Sequence, residues 1–223
     1  MNTKKLEARR QEAEKKWFEL QNNQRPVIYV GAASCGLASG AAEVMGALAG
    51  YLKNKNHEVD IVKVGCIGPC YLEPLVDIQM PGKPRISYSN VTANHVPPLL
   101  DSFLEKGEVY KPRLVGHFGA EAGDGVPKFF DHPMLASQVR IVLRNCGIID
   151  PESLDHYLAR DGYKALEKSL AMPRNDVLEI VKNSGIRGRG GAGFPTWRKW
   201  LFCRETESAK RYLICNADEG SGD

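Results

Sequence analysis

A glycine-rich run in the last quarter of the chain restricts its fold more than any other stretch. Residues 188–193 read Gly-Arg-Gly-Gly-Ala-Gly, and Phe194 and Trp197 follow closely. A backbone without Cβ atoms comes within hydrogen-bonding distance of a bulky ligand and adopts positive φ at little cost. A mobile linker is a poor interpretation, because exposing large apolar side chains is unfavourable. The run therefore predicts a fixed loop for a planar or anionic ligand, with Arg189 and Lys199 as its positive charges.

Two common nucleotide-binding motifs do not account for this run. Gly188, Gly190 and Gly193 have the spacing G-x-G-x-x-G, but that fingerprint follows a strand and opens a helix. Residues 175–185 instead predict a short helix that Gly185 stops. A P-loop is also excluded, because no Gly-Lys-Ser/Thr closes the run.

The glycine-rich run and two other segments resemble a known family. Asn216, Asp218 and Glu219 form an Asn-x-Asp-Glu stretch after the run, and residues 140–151 read Arg-Ile-Val-Leu-Arg-Asn-Cys-Gly-Ile-Ile-Asp-Pro. Together these segments resemble the NADH-binding flavoprotein subunit of respiratory complex I, with its relatives in NAD-linked hydrogenases and NAD-dependent formate dehydrogenases. The resemblance extends over most of the chain. It implies an α/β domain that binds FMN and NADH.

The resemblance also implies a role for each matching residue. In that family the glycine-rich loop and the Asn-x-Asp-Glu stretch line one FMN pocket, and NADH stacks over the flavin. The residues implied to contact FMN are Gly188, Arg189, Gly190, Gly191, Lys199, Asn216, Asp218 and Glu219. Phe194 and Phe202 are implied to face the nicotinamide nucleotide. Hydride passes between stacked rings, so the protein orients the cofactors and needs no catalytic base of its own.

Composition and charge exclude several other classes of protein. The 223 residues are 43% hydrophobic and 26% charged, which is ordinary for a globular chain. The net charge of +3, with acids and bases interspersed, does not indicate nucleic-acid binding. No apolar run approaches the roughly 20 residues of a membrane span, and no secretory leader is apparent. We therefore expect a cytoplasmic protein without direct membrane insertion.

The chain divides by pattern into four parts. Residues 1–25 predict an N-terminal helix whose narrow apolar face rests either on its own domain or on a partner. Residues 26–110 predict a small α/β domain that resembles the thioredoxin-like ferredoxin domain of some flavoprotein subunits. Residues 111–135, rich in Pro, Gly and His, predict a connector. Residues 136–223 are expected to be the beginning of an FMN/NADH-binding domain.

Three cysteines predict a metal site in the small domain. Cys35 follows the first predicted strand, and Cys66 and Cys70 follow the second, so the three thiols are expected at one sheet edge. Thiolates gathered in this way bind iron–sulfur clusters or zinc. The resemblance implies a [2Fe–2S] cluster with four cysteines, but Gly40 stands where the fourth is expected. A bound cluster, a degenerate domain with free thiols, and a disulfide or zinc site all remain open.

The resemblance implies a flavoprotein subunit of a multi-subunit NAD(P)H oxidoreductase. Such a subunit transfers hydride between NAD(P)H and FMN and passes electrons to iron–sulfur clusters. Its implied partners are a thioredoxin-like [2Fe–2S] small subunit and iron–sulfur acceptor subunits, with a [4Fe–4S] cluster expected only beyond residue 223. Ser221 stands where the family usually carries an acid, and Gly222 follows it; together with the incomplete cysteine pattern, this favours a hydrogenase-like or anaerobic reductase type. The alternative is a non-catalytic thioredoxin-like module for electron transfer or subunit docking.

Overall fold

The chain forms two compact units, residues 1–162 and 163–223. A computed structural model describes residues 3–119, 125–212 and 214. The elements of the first unit, in chain order, are α1 Thr3–Gln21, β1 Val27–Gly31, α2 Ser34–Ala38, α3 Ala41–Lys55, β2 Asp60–Val64, β3 Val76–Gln79, β4 Arg85–Tyr88, α4 Val96–Leu100, β5 Leu114–Phe118 and α5 Leu154–Ala159. Those of the second unit are α6 Lys164–Leu170, α7 Arg174–Asn183 and α8 Thr196–Glu205.

The first unit is built on a mixed sheet with strand order β2-β1-β3-β4-β5. β1 and β2 pair in parallel through a crossover that contains α2 and α3, whereas β3, β4 and β5 pair antiparallel. β1 is buried along its whole length because it lies inside the sheet and is covered on both faces. A βαβ unit followed by a hairpin confirms the predicted α/β class.

The main core lies between the sheet and the helices α3 and α4. α3 places Val44, Leu48 and Leu52 on its buried face, at the spacing of one side of a helix. The sequence predicts a strand over Val27–Gly31, a helix over Gly40–Asn54 and a hairpin turn at Pro81-Gly82; the structure has the strand with these bounds and the helix as Ala41–Lys55. The turn between β3 and β4 contains Gly82 at φ +68°, the left-handed conformation that a glycine adopts without strain.

A fifth strand lies in the segment that its composition predicts to be a connector. β5 pairs with β4, and His117 within it is buried although its side chain is polar. Gly116 is required there, because a Cβ atom would come within 2.8 Å of the Pro127 carbonyl oxygen. The sequence pattern did not predict β5, because Gly116 and His117 interrupt its short apolar run and glycine is uncommon in strand interiors.

The N-terminal helix α1 packs on α5 of its own unit. Asp155 on α5 receives ion pairs from Arg9 at 3.2 Å and Lys16 at 3.3 Å, and Trp17 meets His156 edge to face at 5.1 Å between ring centroids. The sequence left open whether this helix rests on its own domain or on a partner. The structure shows it packed on α5 of the same chain.

The second unit has little interior of its own. α7 and α8 pack together, α7 ends before Gly185 at φ +69°, and α8 begins directly after the glycine-rich run. None of its described residues is fully buried. In the part of the chain that the structure describes, no helix has the length and apolar character of a membrane span.

Candidate functional sites

The glycine-rich run forms a loop closed by its own backbone. The amide of Gly188 donates to the carbonyl of Phe194 at 2.9 Å, and the amide of Thr196 donates to the carbonyl of Ile186 at 3.2 Å. These bonds pair the two sides of the loop as a short antiparallel ladder. The loop is therefore held at its neck, as predicted from the large side chains that follow it.

The glycines within the loop have two features that suit a ligand site: positive φ angles and free space beside their backbone. Gly191 and Gly193 have φ of +95° and +58°, a conformation that side chains with a Cβ rarely adopt. At Gly190, Gly191 and Gly193, an added Cβ would meet no atom within 4 Å. The backbone of the loop thus faces open space, which is what a ligand that approaches it requires.

Lys199 lies over the beginning of the loop. A Cβ atom on Gly188 would stand 2.8 Å from the Lys199 ammonium, so these two predicted site residues are brought together. Lys199 belongs to the first turn of α8, where unpaired amides give the helix end a partial positive charge. With Arg189 exposed in the loop, this end of the unit offers positive charge to an anion.

One aromatic pair and one tryptophan with two cation contacts lie in and beside the loop. The rings of Phe194 and Phe202 lie 6.4 Å apart, and both side chains are partly exposed, at 38% and 56%. Trp197 is held between Lys182 and Arg198, each cation 5.4 Å from its ring centroid. Sequence reasoning did not identify Lys182, because it lies on α7 and shares no sequence spacing with Trp197 on α8; it also did not single out Arg198, the chain neighbour of Trp197.

Part of the predicted flavin site belongs to residues that the structure does not describe. Asn216, Asp218 and Glu219 lie outside the described residues, as does Cys215. Among the described site residues, the structure brings Lys199 close to Gly188 at the neck of the loop. The roles of the individual residues stay predictions.

The three predicted cysteines converge in the first unit. Cys35 lies on α2 just after β1, and Cys66 and Cys70 lie on the loop after β2. Their sulfur atoms are all within 4.8 Å of one another, and those of Cys66 and Cys70 are 3.5 Å apart. The parallel pairing of β1 and β2 explains this, because the carboxyl ends of parallel strands meet at the same edge of a sheet.

The electrostatics of this cysteine cluster favour neutral thiols when no cation is bound. Burial raises the pKa of Cys66, and hydrogen bonding with the other thiols raises it further. Burial also raises the pKa of Cys35. The amide of Gly68 opposes this at Cys66 by donating to its sulfur at 3.3 Å. Three thiolates this close repel each other, so a bound cation would be needed to hold them deprotonated.

The loop that carries Cys66 and Cys70 rests on the segment 135–151. Arg140 donates to the carbonyl of Ile67 at 3.1 Å, and the Ile67 side chain is buried against Gly147. This segment was predicted from the resemblance as the start of the flavoprotein region. Here it packs beneath the cysteine loop within the same unit.

A buried arginine joins the sheet to the same segment. Arg85 on β4 forms a salt bridge with Asp77 on β3 and donates to the carbonyl of Gly147 at 2.9 Å. Its guanidinium lies between the rings of Tyr29 and Phe118, 3.9 and 4.5 Å from their centroids. Sequence reasoning did not find this arrangement, because its members come from five separate stretches of the chain.

The C-terminal part of the chain matches a sequence family. Residues 181–222 match the family described as the Nuo51 FMN-binding domain. The matched range contains the whole glycine-rich loop and the Asn-x-Asp-Glu stretch. The resemblance inferred from those residues is thereby confirmed.

Individual relatives are similar over a part of their length. The NADP-reducing hydrogenase subunit HndC of Solidesulfovibrio fructosivorans is 54% identical over 83 residues, which cover 37% of this chain and 17% of HndC. An NADH-quinone oxidoreductase subunit of Rhizobium meliloti is 47% identical over 81 residues, which cover 36% of this chain and 19% of that relative. The matches therefore span less than a fifth of each relative.

A solved structure is similar to part of the chain, at low similarity. A thioredoxin-like [2Fe–2S] ferredoxin from Aquifex aeolicus superimposes with a TM-score of 0.37 and 17% identity, covering 45% of this chain and 98% of the ferredoxin.

Proposed function

We infer that this chain is the flavin- and nucleotide-binding part of a flavoprotein subunit in a multi-subunit NAD(P)H oxidoreductase. The reaction is hydride transfer between NAD(P)H and FMN, with electrons passed on to iron–sulfur groups. The observation that carries the inference is the match of residues 181–222 to the Nuo51 FMN-binding domain. Hydrogen bonds close the neck of the glycine-rich loop within that range, and the space beside its glycines is open. The Lys199 ammonium lies close to Gly188.

The residues of the loop fit an FMN molecule. When bound, FMN supplies a ring that takes up hydride and releases electrons one at a time. Lys199, Arg189 and the amino end of α8 supply positive charge, which stabilises the phosphate or the electron-rich ring. The backbone around Gly190 and Gly191 approaches the ligand closely because no Cβ intervenes. These residues hold and orient the cofactor, and none of them needs to transfer a proton.

The nucleotide is assigned to the aromatic side of the loop. Phe194 and Phe202 present two partly exposed rings beside the loop neck, and an aromatic ring can stack on a nicotinamide or an adenine. Stacking fixes the orientation of the nucleotide relative to the flavin, which is the main requirement of hydride transfer. Asn216, Asp218 and Glu219 are proposed as further FMN ligands from the resemblance alone.

A [2Fe–2S] cluster does not fit the cysteine cluster as the described residues form it. Such a cluster takes four ligands, and among the described residues Cys35, Cys66 and Cys70 supply three. Gly40, at the position expected for the fourth, has no side chain to contribute. No electron transfer is therefore assigned to this cluster, and the acceptors are proposed to be iron–sulfur groups elsewhere in the assembly.

The proposed partners follow from the type of assembly. They are a thioredoxin-like [2Fe–2S] small subunit and iron–sulfur acceptor subunits, in a cytoplasmic complex of the hydrogenase-like type. The hydrogenase type is supported by the 54% identity to HndC. A non-catalytic docking module is less well supported, because α1, its proposed docking helix, packs on α5 of its own unit.

The experiment that tests this function compares Lys199→Ala with Lys168→Ala, an exposed lysine on α6. Both are made in the protein encoded by the complete gene and purified with its partners. Loss of one charge-assisted bond is expected to weaken FMN retention by about 1.5 to 3 kcal/mol in Lys199→Ala. The measurement is FMN released by acid per chain, together with NADH- or NADPH-dependent reduction of ferricyanide.

The Lys168→Ala variant is expected to retain flavin and activity at the level of the unaltered protein. The function is contradicted if the unaltered protein contains no FMN and oxidises neither nucleotide. Equal FMN content in the two variants, with normal activity, would instead remove Lys199 alone from the site.

A further inference from the structure

We propose that Cys35, Cys66 and Cys70 bind a single tetrahedral metal ion of the zinc class, such as Zn²⁺ or Fe²⁺, with its fourth position open to solvent. The proposal does not depend on the flavin function, since it concerns the first unit alone. It departs from the two-iron cluster that the resemblance implies.

The spacing of the sulfur atoms carries the proposal. Two thiolates on one tetrahedral ion with bonds of about 2.3 Å stand roughly 3.8 Å apart. All three sulfurs here lie within 4.8 Å of one another, and one pair is 3.5 Å apart. Ligands on the two irons of a [2Fe–2S] cluster stand further apart, because the second iron is interposed. The triangle of Cys35, Cys66 and Cys70 therefore matches three vertices around one ion.

The fourth vertex has no protein donor among the described His, Cys, Asp and Glu residues. The carboxylate of Glu73 is a candidate for the fourth ligand, but it is buried and accepts a hydrogen bond from the amide of Leu75 at 2.7 Å. The Glu73 carboxylate also packs against Gly31, where a Cβ atom would stand 2.4 Å from its Oε2 atom. Cys70 is exposed while Cys35 and Cys66 are partly covered, so the open vertex faces water. Three protein ligands and one open position are typical of sites that bind a water or an exogenous ligand.

The loop between the second and third cysteines is held in place by contacts outside the cluster. The amide of Gly68 donates to the Cys66 sulfur at 3.3 Å, a bond that orients a metal-binding sulfur. Arg140 holds the Ile67 carbonyl at 3.1 Å, and the Ile67 side chain is buried. The sulfurs are thus brought together by the fold itself, which lowers the ordering cost of binding an ion.

Binding involves no redox step. Three thiols lose their protons to solvent and form three metal–sulfur bonds, so a divalent ion yields a site of net charge minus one with water at the fourth position. Soft thiolate donors select Zn²⁺ or Fe²⁺ over Mg²⁺ or Ca²⁺.

The test uses the full chain, reduced and kept anaerobic, with Co²⁺ as the spectroscopic probe. One Co²⁺ per chain is expected, with a sulfur-to-metal charge-transfer band and the intense visible absorption of a tetrahedral ion. One equivalent of Zn²⁺ is expected to displace it. Cys35→Ser, Cys66→Ser and Cys70→Ser are each expected to weaken binding by at least about tenfold. Cys203→Ser, an exposed cysteine in the other unit, is the matched control and is expected to change nothing.

Four results would overturn the proposal. The first is a firm content of two irons and two sulfides per chain after supply of iron and sulfide. The second is a Co²⁺ spectrum unaffected by Cys35→Ser. The third is an absence of Co²⁺ binding by the reduced chain. The fourth is a Cys66–Cys70 disulfide that persists in reductant. Circular dichroism of each variant verifies that the fold is retained, and Cys70→Ser, at the exposed position, gives a result if a more buried variant unfolds.

Discussion

Gly147 lies directly against Ile67, so that a Cβ atom on Gly147 would stand 2.5 Å from the Ile67 Cβ. Ile67 is buried in the cysteine loop, and Gly147 belongs to the segment that resembles the start of the flavoprotein region. Gly147 also has φ +74° and presents its carbonyl to Arg85. The contact places this segment beneath the cysteine loop within one compact unit.

Gly147→Ala is expected to destabilise the first unit by about 2 to 4 kcal/mol. The new methyl group overlaps a branched, buried side chain, and alanine is strained at positive φ. The measurement is urea-induced unfolding of the full chain. The matched control is Gly50→Ala in the interior of α3, where a Cβ meets nothing within 4 Å. That change is expected to stabilise by about 0.5 to 1 kcal/mol, because glycine weakens a helix interior.

The second prediction concerns the buried salt bridge between Asp77 and Arg85. Arg85→Met leaves the Asp77 carboxylate buried without its cation, and Asp77→Leu leaves the guanidinium without its anion. Each single change is expected to lower the free energy of unfolding by about 3 to 5 kcal/mol, whereas the double variant is expected to recover much of that loss. The measurement is a double-mutant cycle in urea.

An additive result in that cycle would contradict the prediction, since it would mean that the two groups do not interact. Arg25 and Asp60 provide the control pair, because they form an exposed salt bridge at 2.7 Å. Their coupling is expected to stay below about 1 kcal/mol, as is usual for exposed ion pairs.

The third prediction separates binding from packing at Phe194. Its side chain is 38% exposed, so Phe194→Ala is expected to change the free energy of unfolding far less than the roughly 3 to 5 kcal/mol typical of a buried phenylalanine. If the ring stacks on the nucleotide, KM for NADH or NADPH rises while FMN content is unchanged. The measurement is steady-state kinetics of the protein from the complete gene. Phe18→Ala, an exposed phenylalanine on α1, is the control that should leave KM unchanged; an unchanged KM in Phe194→Ala would place the ring outside the nucleotide site.

The fourth prediction concerns the pH dependence of the contact between α1 and α5. Burial lowers the pKa of His156, although Asp150 and Asp155 act in the opposite direction. Its Nδ1 accepts the amide of Asp150 at 3.0 Å, a bond that protonation at Nδ1 would abolish. In His156→Asn the amide oxygen takes the place of Nδ1 as acceptor and does not titrate.

The sign of the effect follows from proton binding. The unfolded state binds the proton first, at a pKa of about 6.5. The stabilisation that neutral His156 adds to the free energy of unfolding is therefore fully present above that pH. It is lost as the pH falls towards the lower pKa of the folded state. Unfolding in urea from about pH 8 to pH 5 should show the unaltered chain losing more stability than His156→Asn. If the difference in the free energy of unfolding between the unaltered chain and His156→Asn stays constant from about pH 8 to pH 5, His156 does not titrate in that range.

Local pattern sufficed to predict the main elements of the small domain and the loop. The apolar strand Val27–Gly31, the helix Ala41–Lys55 and the hairpin at Gly82 are each specified by neighbours in the chain. The glycine-rich loop was predicted for the same reason, because positive φ at Gly191 and Gly193 depends on those residues themselves.

What the sequence by itself determined is therefore local: periodic apolar faces, turns, and the glycines that free a backbone for a ligand. The tertiary structure alone decided which distant groups meet. It added β5 to the sheet, placed Asp155 against α1, and brought Cys35 within 4.8 Å of Cys66 and Cys70. It also placed Gly147 against Ile67. Such contacts join residues far apart in the chain, and their energy depends on burial and geometry that no short stretch of sequence encodes.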